Sequence, residues 1–210
     1  TFLLTERPTR ADLTKLLAPN AFWEEMAEHP DYDEWWRARD TRRACYNIRP
    51  AMLVVGGTFD AEDCYGAWNL YKAVLRQSAR TPLHLVVGPW AHGAWRGDGR
   101  TLGDFDFGEE ASGAYYMEHF EAPFFDCYLW ARDTVDRLPP VAAFSSGDNR
   151  WHTFGRWTPS EARKLTLYLA DGGRITTEKP TVKNSSTSYT SDPADPVPYI
   201  ATSGTRRPKE

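Results

Sequence analysis

Apolar positions along this chain fall into three rhythms. Between residues 20 and 50 they are spaced in helical fashion and broken by Pro30 and Pro50, giving two short amphipathic stretches, NAFWEEMAE (20–28) and DYDEWWRAR (31–39). Asn20 suits the N-cap of the first, and acids in its opening turns suit the helix dipole. At 51–55 the run AMLVV is continuous and closes on Gly56-Gly57, and 83–87 repeats the pattern before Gly88-Pro89. Continuous apolar runs this short read as strands buried on both faces. Between them, 61–79 places Tyr65, Trp68, Tyr71, Val74 and Leu75 at helical spacing. Residues 113–131 also read as helical, with Pro123 either kinking the helix or starting a second one. Strand, helix, strand, loop and helix in this order predict a parallel sheet covered by helices.

From about Leu138 the rhythm shortens. VAAFSSG (141–147), RWHTF (150–154), KLTLYLA (164–170) and SSTSYTS (185–191) are strand-like runs separated by turns, the pattern of a sandwich or jelly roll. No strand is expected from 192 onward. The predicted class is α/β followed by the start of a β-sandwich, with Leu138-Pro139-Pro140 as the boundary. The expected units are a helical segment over 1–50, a sheet domain over 51–137 and an incomplete β domain over 138–210.

Composition narrows the function. The 210 residues carry a net charge of −4, which makes no electrostatic case for nucleic acid or an anionic membrane. No apolar run approaches the roughly 20 residues that span a bilayer. Aromatics at 14% are too abundant for a disordered chain. Cys45, Cys64 and Cys127 form no CxxC pair, which excludes a disulfide framework and a thiolate zinc site of standard spacing. No basic-then-apolar leader opens the sequence, so periplasmic, secreted and cytoplasmic locations all stay open.

Two loops carry the candidate chemistry, because each follows an apolar strand of the expected parallel sheet: GGTFDAED (56–63) and GPWAHG (88–93). Functional residues in open α/β sheets gather beyond the carboxyl ends of the strands. Neighbouring strands lie about 4.8 Å apart, so Asp60 and His92 could meet within hydrogen-bond range. A carboxylate that orients an imidazole is two-thirds of a Ser-His-Asp relay, and Asp before His is the α/β-hydrolase order. Asp60 also suits a helix N-cap, and His92 could be an ordinary loop histidine. A metal site built from Asp60, Glu62, Asp63 and His92 lacks recognised spacing, so none is expected. His84 reads as core or edge packing, and His29, His119 and His152 as structural.

The full wording goes further. LVVGGTFDAEDCYGAWNLYKA and LVVGPWAHGAW resemble the acid and histidine motifs of the cocaine esterase, X-Pro dipeptidyl-peptidase and α-amino acid ester hydrolase family. DYDEWWRARD upstream fits the same family, as do FGEEASGAYYMEHFEAPFFDCYLW, GDNRWHTFGRWTP, LYLADGG and SDPADPVPYI downstream, in consistent order from about residue 20. The G-x-[aromatic]-D-x-E-D wording over 57–63 is nearest to the amino acid ester hydrolase and β-lactam acylase branch.

The resemblance implies a serine hydrolase with a helical cap, an α/β-hydrolase sheet and a C-terminal jelly roll, working without metal or organic cofactor. Asp60 would match the triad acid and His92 the general base. The family's nucleophile sits on a G-x-S-Y-x-G elbow, and none of the ten serines here stands in one. The chain is therefore expected to be a middle piece of a longer hydrolase. The N-terminal half would supply the serine, and this chain alone would be inactive; a non-catalytic binding module is the alternative. Expected substrates are small esters or amides of α-amino acids, of acyl or β-lactam side-chain type, or X-Pro dipeptides. Asp33, in the YD-x-W wording, is the expected carboxylate partner of a substrate ammonium, with Asp31, Glu34, Glu62 and Asp63 as further acids nearby. Oligomeric state stays open.

Overall fold

The computed structural model describes residues 20–132, 138–181, 186 and 188–192. Two short helices open it, α1 (Ala21–Glu28) and α2 (Glu34–Ala38), capped by the side chains of Asn20 and Asp33 respectively. Strand β1 (Met52–Gly57) leads through a turn into α3 (Cys64–Gln77), and β2 (Leu83–Gly88) follows. A small hairpin, β3 (Thr101–Leu102) with β4 (Phe105–Asp106), precedes the helical stretch α4 (Gly113–Tyr116) and α5 (Ala122–Trp130). β5 (Val141–Ser145) and β6 (Arg150–Phe154) come next, and β7 (Tyr168–Ala170) with β8 (Arg174–Thr176) forms a separate antiparallel hairpin.

The main sheet has the order β1-β2-β5-β6. β1, β2 and β5 run parallel, in register Gly57↔Gly88 and Leu85↔Val141, and β6 closes the edge antiparallel. The strands expected over 141–147 and 150–154 are β5 and β6 of this sheet: β5 takes its parallel ladder from β2, burying Val141 and Ala142 completely, and β6 pairs antiparallel with β5. The β7–β8 hairpin stands apart from this sheet, and β7 takes up only the last three residues of the run expected over 164–170. The run expected over 185–191 lies partly outside the described residues, and those of it that are described form no strand.

β2 shows why the central runs are continuous rather than alternating. Leu85 and Val87 face α3, packing with Val54, Tyr71 and Val141. Val86 points to the other side, against Trp90, Tyr116, Phe120 and Ala142. With helices on both faces, the run Leu85–Val87 is continuously apolar rather than alternating. His84 is buried there too; its ring nitrogens lie 3.0 Å from the Pro139 carbonyl oxygen and 3.0 Å from the Tyr128 hydroxyl, the packing role expected of it.

Of the two alternatives for Pro123, the structure shows the second: it stands at the start of a second α-helical segment. A π-helical turn over Met117–Glu121 joins α4 to α5 and places Pro123 in the first turn of α5, where a missing N–H costs little.

Candidate active site

Both loops start from glycines that let two backbones approach closely. A Cβ on Gly57 would lie 2.0 Å from the Trp90 carbonyl oxygen, and one on Gly88 would lie 2.4 Å from the Trp90 ring. Beyond the strand ends the loops stay stitched together: Thr58 N–H donates to the Gly88 carbonyl at 2.8 Å and Phe59 N–H to the Trp90 carbonyl at 3.2 Å. Three residues past Gly57 and four past Gly88, Asp60 and His92 therefore meet.

The Asp60 side chain is 1% exposed and splits its work between its two oxygens. Oδ1 accepts the backbone N–H groups of Glu62 (2.8 Å) and Asp63 (2.9 Å), which ties down the turn that enters α3. Oδ2 lies 3.1 Å from His92 Nδ1, with Oδ1 at 3.3 Å. The capping role and the histidine partnership, alternatives on sequence grounds, coexist in one carboxylate. Because a carboxylate only accepts, Nδ1 carries the proton and Nε2 keeps its lone pair. Nε2 is 3.9 Å from Glu62 Oε2, beyond hydrogen-bond range.

The electrostatics agree with this geometry. Burial pushes the Asp60 carboxyl up, but the N–H groups of Asp63 and Glu62 and the His92 ring outweigh it and hold it below its ordinary value. The hydrogen bond to Asp60 raises His92 above its ordinary value against the opposing effect of burial, helped by the charges of Asp60, Glu62 and Asp63. Glu62 and Asp63 each bring an oxygen within 4 Å of the ring. Asp60, Asp63 and His92 hold one potential ligand atom each within 4.8 Å of one another. Both Asp60 oxygens are already engaged, which favours an acid–imidazole pair over a metal centre.

Asp33 is not joined to this pair by any contact among the described residues. It caps α2, accepting the N–H groups of Trp35 and Trp36, and its Oδ2 lies 2.5 Å from His29 Nδ1, so the His29 ring and those amides hold its carboxyl below the usual range. Glu34 pairs with Arg37 and Arg43. His29 and His152 each have an aspartate four residues away (Asp33 and Asp148), partners that the sequence spacing contained and the reading above passed over. Trp90 was also missed: it is fully buried, and its indole N–H donates to the Ala111 carbonyl at 2.7 Å. A bulky residue directly after Gly88-Pro89, between a strand and a candidate histidine, was its available signal.

Among the described residues, no serine hydroxyl is bonded to His92, and Ser112 caps α4 instead. Comparison with known proteins shows what the chain as a whole is similar to. The family model for X-Pro dipeptidyl-peptidase (S15 family) matches residues 4–94. Cocaine esterase from Rhodococcus sp. (strain MB1 Bresler) is 25% identical over 190 residues, 84% of this chain and 31% of that protein. The solved structure of a selenomethionine-labelled α-amino acid ester hydrolase matches at TM-score 0.77 and 29% identity, over 97% of this chain and 34% of that one. These matches support a place for the chain in the cocaine esterase and X-Pro dipeptidyl-peptidase family. An aminopeptidase from a marine sediment Thaumarchaeota archaeon matches at TM-score 0.81 and 34% identity, over 91% of this chain and 31% of that one. These relatives are named as an esterase, an amino acid ester hydrolase and an aminopeptidase, and the chain spans about a third of the length of each. The parallel sheet with its covering helices is consistent with an α/β-hydrolase-like fold.

Proposed function

We propose that the protein is a serine hydrolase working through an acyl-enzyme, in which Asp60 is the triad acid and His92 the general base. The serine would come from polypeptide outside these 210 residues. One observation carries the reading: at the ends of adjacent parallel strands, a buried carboxylate faces His92 Nδ1, and among the described residues Nε2 has no hydrogen-bond partner. Among the described residues no strand pairs with the outer edge of β1. That edge is the natural place for a further strand carrying the nucleophile, since an unpaired ladder seeks a partner.

In the proposed cycle, His92 Nε2 takes the serine proton as the hydroxyl oxygen attacks the substrate carbonyl. Backbone N–H groups outside this chain stabilise the oxyanion. Collapse expels the alcohol or amine, which leaves with the proton from His92. Water then repeats the sequence, releasing the acid and restoring the serine. The proposed substrates are esters or amides of α-amino acids, of acyl or β-lactam side-chain type, or X-Pro dipeptides. Glu62 and Asp63 beside the base, with Asp33 from the cap, would pair with the substrate's ammonium group. In this reading α1 and α2 belong to a helical cap, and the β7–β8 hairpin opens a jelly roll.

Ester hydrolysis by the intact protein tests the proposal. Asp60→Asn and His92→Ala should each lower kcat by roughly 10³-fold or more, and the isolated 210 residues should turn over only at background rate. Full activity in either variant would overturn the assignment.

A further inference from the structure

The two loops do not hold each other through Asp60 and His92 alone. Trp90, in the histidine loop itself, is wholly buried, and both its side chain and its main chain are committed. The indole donates to Ala111 O and packs against Trp95, Tyr116 and Trp151 at centroid distances of 5.5–5.8 Å. Its carbonyl accepts the N–H of Phe59, the residue before Asp60, and presses on the Gly57 Cα so closely that no side chain fits there. Gly88 and Gly99 clear space for the ring: a Cβ on Gly99 would lie 3.1 Å from the indole nitrogen. His92, two residues on, is 40% exposed, and Asp60 is its only hydrogen-bond partner among the described residues.

We infer that Trp90 is a positioning residue: through its buried indole and its carbonyl it fixes the histidine loop against the acid loop, so that His92 is presented to Asp60. The inference rests on reading Asp60 and His92 as acid and base. A purely structural tryptophan would stabilise the core without governing the pair. Here one residue contacts the acid loop directly, and its anchor lies in an element, the turn before α4, that neither catalytic side chain touches. Replacing indole by phenyl removes the donor from a fully buried carbonyl while keeping most of the packing.

Histidine-selective NMR titration of His92 in the intact protein reads the effect. Trp90→Phe should lower the His92 pKa toward its ordinary value as the Asp60 contact loosens, with Glu62 and Asp63 unchanged. It should also cut kcat by up to about 100-fold with KM little altered. Val74→Ala, a buried change behind α3, serves as the control for lost stability and should leave the titration in place. Trp90→Tyr, which also withdraws the indole donor from Ala111 O while keeping an aromatic ring, should lower the pKa in the same direction, and decides the matter if Trp90→Phe does not fold. An unmoved His92 titration in both variants, or an equal shift in Val74→Ala, overturns the positioning role. Hydrolysis insensitive to His92→Ala would instead overturn the reading of the site, a separate result.

Discussion

β2 and the β7–β8 hairpin use the same residue types and end in opposite surroundings. Leu85 and Val86 are at most 1% exposed, whereas Leu169 is 84% and Ile175 63% exposed. The first strand has a parallel neighbour on each side and helices on both faces. The hairpin, among the described residues, has only its own partner strand. Apolar writing thus gives a strand its tendency, and its neighbours decide whether it can hold chemistry in place. The acid and histidine loops leave the buried sheet, and that is where rigid geometry appears.

The comparison breaks most readily at the core. Leu85→Ala should cost about 2–5 kcal/mol in urea unfolding, because the fully buried site cannot collapse around the missing atoms. Gly57→Ala should cost near the upper end of overpacking changes, ~3 kcal/mol, since the clash is with backbone rather than a flexible side chain. Unfolding midpoints close to the unaltered protein for either would mean that the strand ends are not packed as described.

A subtler test uses pH. His92 is raised in the folded state, so its contribution to stability is complete below its ordinary value of 6.5 and fades as pH rises through the raised value. Asp60 is lowered, so its contribution is complete above 3.8 and fades as pH falls through the lowered value. The pair should therefore stabilise most between those two ordinary values. The stability difference between the protein and its His92→Ala variant should be larger near about pH 5 than near about pH 9. Hydrolysis runs the other way, since a general base must be neutral, and should rise with pH through the raised His92 value. Glu62→Gln or Asp63→Asn should move that rise to lower pH. The smallest effect belongs to the hairpin: Leu169→Ala should stay within about 0.5 kcal/mol.

Much of this was legible in the residues. The two apolar runs ending in glycine gave β1 and β2, the helical spacing over 61–79 gave α3, and the place of both loops beyond neighbouring strands pointed to Asp60 and His92 meeting. The partner of β5 was not legible. Four apolar residues, Val141–Phe144, read alike in a sandwich or beside β2, and only the ladder Leu85↔Val141 distinguishes them. Pro123 was ambiguous because the wide turn over Met117–Glu121 that accommodates it leaves no periodic mark. The hold of Trp90 on both loops depends on a carbonyl 21 residues away, a contact that no local pattern encodes.

The central claim, that Asp60 and His92 serve a serine nucleophile, is tested most directly by fluorophosphonate labelling of the intact protein. The account predicts covalent labelling of one serine outside these 210 residues, lost or strongly slowed by His92→Ala. Labelling at an undiminished rate in that variant, or no labelling of the unaltered protein, would contradict it.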